Sequence, residues 1–299
     1  MCGIAGVVAW DEQHRVTREQ LRCMSDALAH RGPDGEGQFL NFDGRPITRD
    51  DPQCGFAFRR LAIIDPDPRS NQPFTIGPLT LVFNGEIYNF RDLKSEISNL
   101  NPDYQWRTQG DAEVLLMSYA TWRGRCVDRL NGMYAFAVWD DAEKCLFLAR
   151  DRMGQKPLYV ARRDGAVAFA SELAALRGSG WAAADVADVE LAHYLAYGYA
   201  RRSIYEGVSQ LRPGERARID RSGCEREFYF DPNEPEPKGE HPVAATRGLV
   251  EQAVTRQLVS DVPLGVLLSG GIDSSVVTAC ARRAGPVRTF QHPLRRPAL

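Results

Sequence analysis

The chain has 299 residues, 43% hydrophobic and 25% charged, a composition that fits a globular protein of one large or two ordinary domains. Its 37 Lys and Arg against 39 Asp and Glu give a formal net charge of −2, which excludes the basic surface of a nucleic-acid or membrane-surface binder and leaves small molecules as the expected partners. Seven scattered cysteines without paired spacing exclude a disulfide framework and a zinc site, and they point to a reducing, cytoplasmic setting.

Residues 4–10 form a short apolar run without a basic leader, too short for a signal or membrane segment, and the pattern predicts a strand. Cys2 stands just ahead of it. Trimming of Met1 would leave a thiol and a free α-amine on one residue, a nucleophile with its own base, whereas a small apolar residue opening a strand needs no chemistry at all. Thr17 and Gln20 form a capping box for a helix whose Leu21, Met24 and Leu28 share one face, with Pro33 expected to end it. Strand character appears at 79–83, 133–139, 145–149, 157–161 and 167–170, with Asp164-Gly165 as a hairpin turn between the last two. Helices are expected at 90–100 and 112–122. Antiparallel sheets with helices packed on them make an α+β layered domain.

Residues 231–242, with four prolines in a polar stretch, can form neither helix nor central strand and are read as a linker between a first domain at 1–230 and a second at 243–290. The second begins α-β-α, with a helix at 243–259, an apolar strand at 262–268 and a helix at 274–283. Its strand-to-helix loop, Ser269-Gly270-Gly271-Ile272-Asp273-Ser274-Ser275, suits a phosphate cradle because glycines allow close approach and helix-end amides face the crevice. An ordinary capped turn has the same composition. It is not a Walker A loop, since the Gly-Lys-Ser/Thr ending is missing.

Taken together, Met1-Cys2-Gly3-Ile4 and the 269–275 loop resemble the glutamine-hydrolysing asparagine synthetase family. Further ordered segments share the likeness: His30-Arg31-Gly32-Pro33-Asp34, Arg60 to Asp65, Asn84-Gly85-Glu86-Ile87-Tyr88-Asn89, Gly110-Asp111 and Arg150-Asp151-Arg152-Met153-Gly154. The resemblance implies a four-layer αββα N-terminal-nucleophile amidotransferase domain followed by the first α-β-α part of a PP-loop synthetase domain. It implies that Cys2 attacks the carboxamide of glutamine, releasing ammonia and leaving a thioester for water. Asn84 and the Gly85 amide match the oxyanion hole, Arg60 the residue that holds the α-carboxylate, and Glu86 with Asp111 the pair that holds the α-ammonium.

Each has a plainer alternative: Arg60 as a solvated strand charge, Asp111 as a helix cap, Asn84-Gly85 as a hairpin turn. No role is assigned to residues 30–34. The histidines show no ligand spacing and no protein-ligated metal is expected. Phe58 stands where relatives often carry histidine. In the second domain the resemblance implies that Ser269, Gly270, Gly271, Asp273, Ser274 and Ser275 hold the pyrophosphate of ATP with Mg2+. Aspartate would be activated as β-aspartyl-AMP and aminated to asparagine.

Family members continue well past this loop. The chain departs from them after Phe290, which raises the expectation of a frameshifted or fragmentary reading frame ending in an irregular tail at 291–299. One strand with two helices cannot bury its apolar faces, so residues 243–284 are expected to pack poorly or aggregate unless they find a partner, a second copy or a complementing chain. The alternatives to an asparagine synthase are a stand-alone glutaminase, an amidotransferase with another acceptor, and an inactive glutamine-binding fragment.

Overall fold

The first strand, β1 (Gly3–Ala9), alternates its faces with period two, and the alternation shows which side of a sheet each residue serves. Ile4 and Val8 enter one apolar core and Ala5, Val7 and Ala9 another. A computed structural model describes residues 1–11, 13–42, 52–183, 185–233 and 242–291 of the chain. It divides into two compact units, Met1–Pro232 and Asn233–Leu299. Residues 234–241 of the expected linker and 292–299 of the expected tail lie outside the described residues.

In the first unit β1 is joined by β2 (Gly35–Leu40), β3 (Gln53–Arg60), β4 (Phe74–Ile76), β5 (Leu79–Ile87), β6 (Gly132–Asp140), β7 (Cys145–Arg150), β8 (Tyr159–Arg163), β9 (Ala166–Ala170), β10 (Val208–Gln210), β11 (Glu215–Asp220) and β12 (Gly223–Phe228). They form two six-stranded antiparallel sheets, ordered β10-β8-β9-β1-β3-β2 and β12-β11-β7-β6-β5-β4. Between the sheets lie Ile4, Val8, Phe56, Phe58, Val82, Trp139, Leu148 and Phe169. Burying each such side chain contributes about 1.5–3 kcal/mol.

Helices α1 (Arg18–Ala27), α2 (Phe90–Leu100), α3 (Asp111–Trp122), α4 (Leu173–Gly178) and α5 (Asp188–Tyr197) follow in chain order. Leu21, Met24 and Leu28 at α1 and Leu176 of α4 cover the outer face of the first sheet, while α3, with α2 against it, packs on β5 of the second. The layers are therefore αββα, an α+β sandwich. The capping box forms as its spacing predicts: the Thr17 hydroxyl accepts the Gln20 amide at 3.1 Å and Gln20 Oε1 accepts the Thr17 amide at 3.2 Å. The helix stops at Ala27, ahead of Pro33, and a 3-10 turn, Ala29–Arg31, fills the interval. Strand β8 begins at Tyr159, two residues after Pro157, which has no N–H to give a ladder.

The second unit holds α6 (Pro242–Arg256), β13 (Gly265–Leu267), α7 (Ile272–Ala284) and β14 (Arg288–Phe290). The two strands pair in parallel. Leu249, Leu267, Ile272 and Phe290 are exposed, as expected of strands and helices with so little to pack against. Among the described residues no helix is long and apolar enough to cross a membrane.

Gly6 of β1 carries a testable steric load, because a Cβ there would lie 2.6 Å from ring atoms of both Phe56 and Phe169. Gly6→Ala is expected to cost about 1–3 kcal/mol by overpacking, read as a lower midpoint in urea unfolding.

Candidate active site

At one end of the sandwich the inward positions of several strands turn from apolar to polar. On β1 the series Val8, Gly6, Ile4 ends at Cys2; on β3, Phe56 and Phe58 give way to Arg60; on β5, Val82 is followed by Asn84 and Glu86. Leu158 and Val160 likewise lead back to Lys156. Since alternate residues share a face, these side chains converge on one cleft, which Asp111 joins from the first turn of α3. The cleft measures about 140 Å³. That is below the roughly 300–1,000 Å³ of sites for drug-sized ligands and suits a molecule the size of an amino acid.

Cys2 is partly buried, its thiol 3.6 Å from the Leu61 carbonyl and 3.4 Å from the Leu61 amide, which donates to it. Burial pushes the thiol pKa up, against the Leu61 amide bond and the positive chain terminus. Burial lowers the pKa of the Met1 ammonium. A thiol held protonated needs a base within hydrogen-bond reach at the moment of attack. Three hydrogen bonds beyond the thiol brace the strand end: Arg31 Nε donates to the Cys2 carbonyl at 2.9 Å, Arg31 Nη1 to Glu172 at 2.8 Å, and the Ser171 hydroxyl accepts the Ile4 amide.

Asn84 is 1% exposed, and its Nδ2 is a buried donor without a hydrogen-bond partner. An unsatisfied donor costs about 1–3 kcal/mol, a cost recovered when an oxygen comes to it. Asn84 and Gly85 lie inside β5 rather than in a hairpin turn, opposite Ala135 and Tyr134. A Cβ on Gly85 would meet the Met133 carbonyl oxygen at 2.1 Å, so only glycine lets the two strands approach.

Arg60 is 7% exposed, which removes the solvated-charge reading. Its Nη1 donates to the Asp67 carbonyl at 3.0 Å and to Asn71 Oδ1 at 2.6 Å, and its Nη2 to the Asp65 carbonyl. Those bonds use three of its five N–H groups and leave donors for an anion. Asp111 is 7% exposed and accepts the Ile87 amide at 3.0 Å, so it ties α3 to β5 rather than only starting the helix. Burial, with the Glu86 charge adding to it, pushes the Asp111 carboxyl up to about 7. Burial also raises Glu86, against the pull of Lys156. Two buried carboxyls side by side, each shifted upward, are a setting in which a cation would be favoured.

Lys156 was not foreseen. It is 5% exposed, lines the cleft, and donates to Met1 Sδ at 3.1 Å. Burial lowers its ammonium pKa while Glu86 raises it. Arg31 and Lys156 are cations inside otherwise turn-like segments, 30–34 and 154–157, and a lysine two residues ahead of the strand parity Leu158, Val160 is the signal that locates the second.

In the second unit Ser269, Gly270, Gly271, Asp273, Ser274 and Ser275 gather at the start of α7. Gly270 takes a φ of +85° and Gly271 caps the helix. Ser269 Oγ lies 3.0 Å from Ser274 Oγ, and the Ser275 hydroxyl donates to the Gly271 carbonyl at 2.7 Å. A Cβ at Gly270 would meet nothing within 4 Å, so the loop is open to a ligand, and helix-end amides with hydroxyls are a donor set that fits a pyrophosphate. Among the described residues no group of three His, Cys, Asp or Glu is placed to hold a metal ion.

An αββα sandwich whose inner strand starts at a cysteine beside an orphaned amide donor defines the N-terminal-nucleophile class of amidotransferases. The profile of the glutamine amidotransferase domain matches residues 1–230, and the chain belongs to that family. A second profile, asparagine synthase, matches residues 245–296. The chain is 35% identical to asparagine synthetase [glutamine-hydrolyzing] 3 of Bacillus subtilis over 94% of its own length and 45% of that protein's. It is 33% identical to asparagine synthetase [glutamine-hydrolyzing] 2 of Arabidopsis thaliana over 95% and 43%. It thus spans somewhat under half the length of these curated relatives. Among solved structures, glutamine phosphoribosylpyrophosphate amidotransferase from B. subtilis, complexed with ADP and GMP, shares the fold with a TM-score of 0.54 at 18% identity, over 97% of this chain and 65% of that one.

Folding raises the Asp111 pKa, so the folded protein holds that proton more tightly than the unfolded chain. Its contribution therefore favours folding at low pH and is lost as pH rises from about 4 to about 7. Asp111→Asn, which keeps an acceptor for Ile87, is expected to flatten that loss and to gain about 1 kcal/mol or more at pH 8. Urea unfolding of both proteins at pH 5 and pH 8 checks it.

Proposed function

We propose that the chain hydrolyses glutamine to glutamate and ammonia at Cys2, as the glutaminase part of an asparagine synthase. The observation that carries the reading is the buried, unpartnered Asn84 Nδ2 in the cleft that also holds the Cys2 thiol. An attacked carboxamide develops an oxyanion, and a donor held ready for it, with the Gly85 amide beside it, stabilises that charge in a water-poor site. Arg60 pairs with the substrate α-carboxylate through its remaining N–H groups. Glu86 and Asp111 take the α-ammonium, whose charge favours their ionised forms.

The thiol proton passes to the α-amine that removal of Met1 exposes on Cys2, directly or through one water, and then to the departing ammonia. The resulting γ-glutamyl thioester is opened by water, whose proton the same amine accepts. Arg31 holds the Cys2 carbonyl throughout and so fixes the direction of that amine.

The likeness of residues 245–296 to asparagine synthase supports ATP-dependent amidation of aspartate as the fate of the ammonia. Ser269, Gly270, Gly271, Asp273, Ser274 and Ser275 would hold the pyrophosphate of ATP with its Mg2+. ATP, when bound, supplies the adenylyl group that activates a carboxylate toward ammonia. Seven unpaired cysteines favour a reducing, cytoplasmic location.

Incubation with glutamine, aspartate, ATP and Mg2+, followed for glutamate and asparagine, tests the reading. Glutamate release is expected from the processed protein and none from Cys2→Ala. Asn84→Ala is expected to lower kcat by about 100- to 1,000-fold with KM little changed. Glutamate release that survives in Cys2→Ala sinks the assignment.

A further inference from the structure

Between the two ends of the proposed head-group site the chain places a carboxylate with no assigned role, Asp65. Its Oδ2 accepts the Ser70 hydroxyl at 2.5 Å and the Gln109 amide at 2.8 Å, while its backbone carbonyl accepts Arg60 Nη2. Gln109 stands two residues before Asp111, and a Cβ on the intervening Gly110 would lie 3.2 Å from Asp65 Cβ. Ser70, Gly110 and Asp111 all line the cleft. Asp65 thus grips the arginine arm with its backbone and the aspartate arm with its side chain.

Two further observations bear on it. Asp65 adopts a φ of 45°, a left-handed conformation that a non-glycine residue keeps only where its surroundings impose it, and which Asp and Asn tolerate better than most. Burial would raise its carboxyl pKa, yet hydrogen bonds from Ser70, Gln109 and Asp67 outweigh that and hold it below the usual range, so the group works as an anion.

We infer that Asp65 is a positioning residue that fixes the spacing between Arg60 and Asp111, and with it the selectivity of the cleft for a ligand bearing both an α-carboxylate and an α-ammonium. The inference rests on the proposed glutamine site and deepens it. Cys2 and Asn84 are set by β1 and β5, so losing the Asp65 carboxylate weakens head-group binding and leaves the chemistry at the thiol in place.

The test compares processed wild type, Asp65→Gly and Asp65→Asn. Glycine relieves the backbone and deletes the carboxylate; asparagine tolerates the same φ and keeps an oxygen acceptor. Labelling of Cys2 is followed with 6-diazo-5-oxo-L-norleucine, an electrophilic glutamine analogue carrying both head groups, and with iodoacetamide, which carries neither. In Asp65→Gly the half-saturating analogue concentration is expected to rise about tenfold or more, with the limiting rate and the iodoacetamide rate within about twofold of wild type. Asp65→Asn is expected to regain most of the affinity. Unchanged half-saturation in Asp65→Gly overturns the inference and leaves the glutamine site standing, as does a parallel loss of labelling by both reagents. Wild type that reacts with iodoacetamide but not with the analogue overturns the glutamine reading, and this inference with it.

Discussion

The pleat of a β-strand allows no choice about which residues face inward, and in this protein that constraint builds both the core and the cleft. The inward series of β1, β3 and β5 is apolar along the sandwich because two sheets must exclude water between them. At its end the same parity delivers Cys2, Arg60, Asn84 and Glu86 to one small volume. No loop has to fold over to collect them. The scaffold that is stabilised by burying Phe56, Phe58 and Trp139 aims the polar residues with the same backbone.

Burial that stabilises the apolar part acts against every charge at that end. Asp111 and Glu86 are pushed toward their neutral forms, Lys156 likewise, and Arg60 is held by the loop that follows it with donors left over. The proposed ligand, with one positive and one negative end, would supply a counter-charge to each arm. Under the proposed reading the empty cleft carries a desolvation cost that its ligand offsets, as at other recognition sites built from desolvated ions.

Much of this could be read along the chain. The Thr17 and Gln20 capping box, the turn at Asp164-Gly165, and the helices at 90–100 and 112–122 are local features, and they form where the local chemistry places them. The parity that brings Arg60 behind Phe58 and Asn84 behind Val82 is also written in the sequence. What composition misjudges is the pairing: Asn84-Gly85 has the make-up of a hairpin turn, and only the close approach of Tyr134 on β6 shows why the strand runs on through it. Asp65, Arg31 and Lys156 share this difficulty. Each looks like a loop charge until tertiary structure shows which carbonyl, carboxylate or cleft it serves.

The place of β1 in its sheet has a consequence for synthesis. A terminal strand commonly sits at an edge and frays, whereas here Gly3–Ala9 lies between β3 and β9, hydrogen-bonded on both sides. During synthesis the backbone of Gly3–Ala9 can be fully paired only once Ala166–Ala170, the later of its two flanking strands, has been made. Once the sheet is complete, the Cys2 backbone is held by Arg31 and its thiol by Leu61. The long sequence separation between β1 and β9 makes the central sheet a late product of folding, and the end of the cleft where Cys2 lies is completed with it.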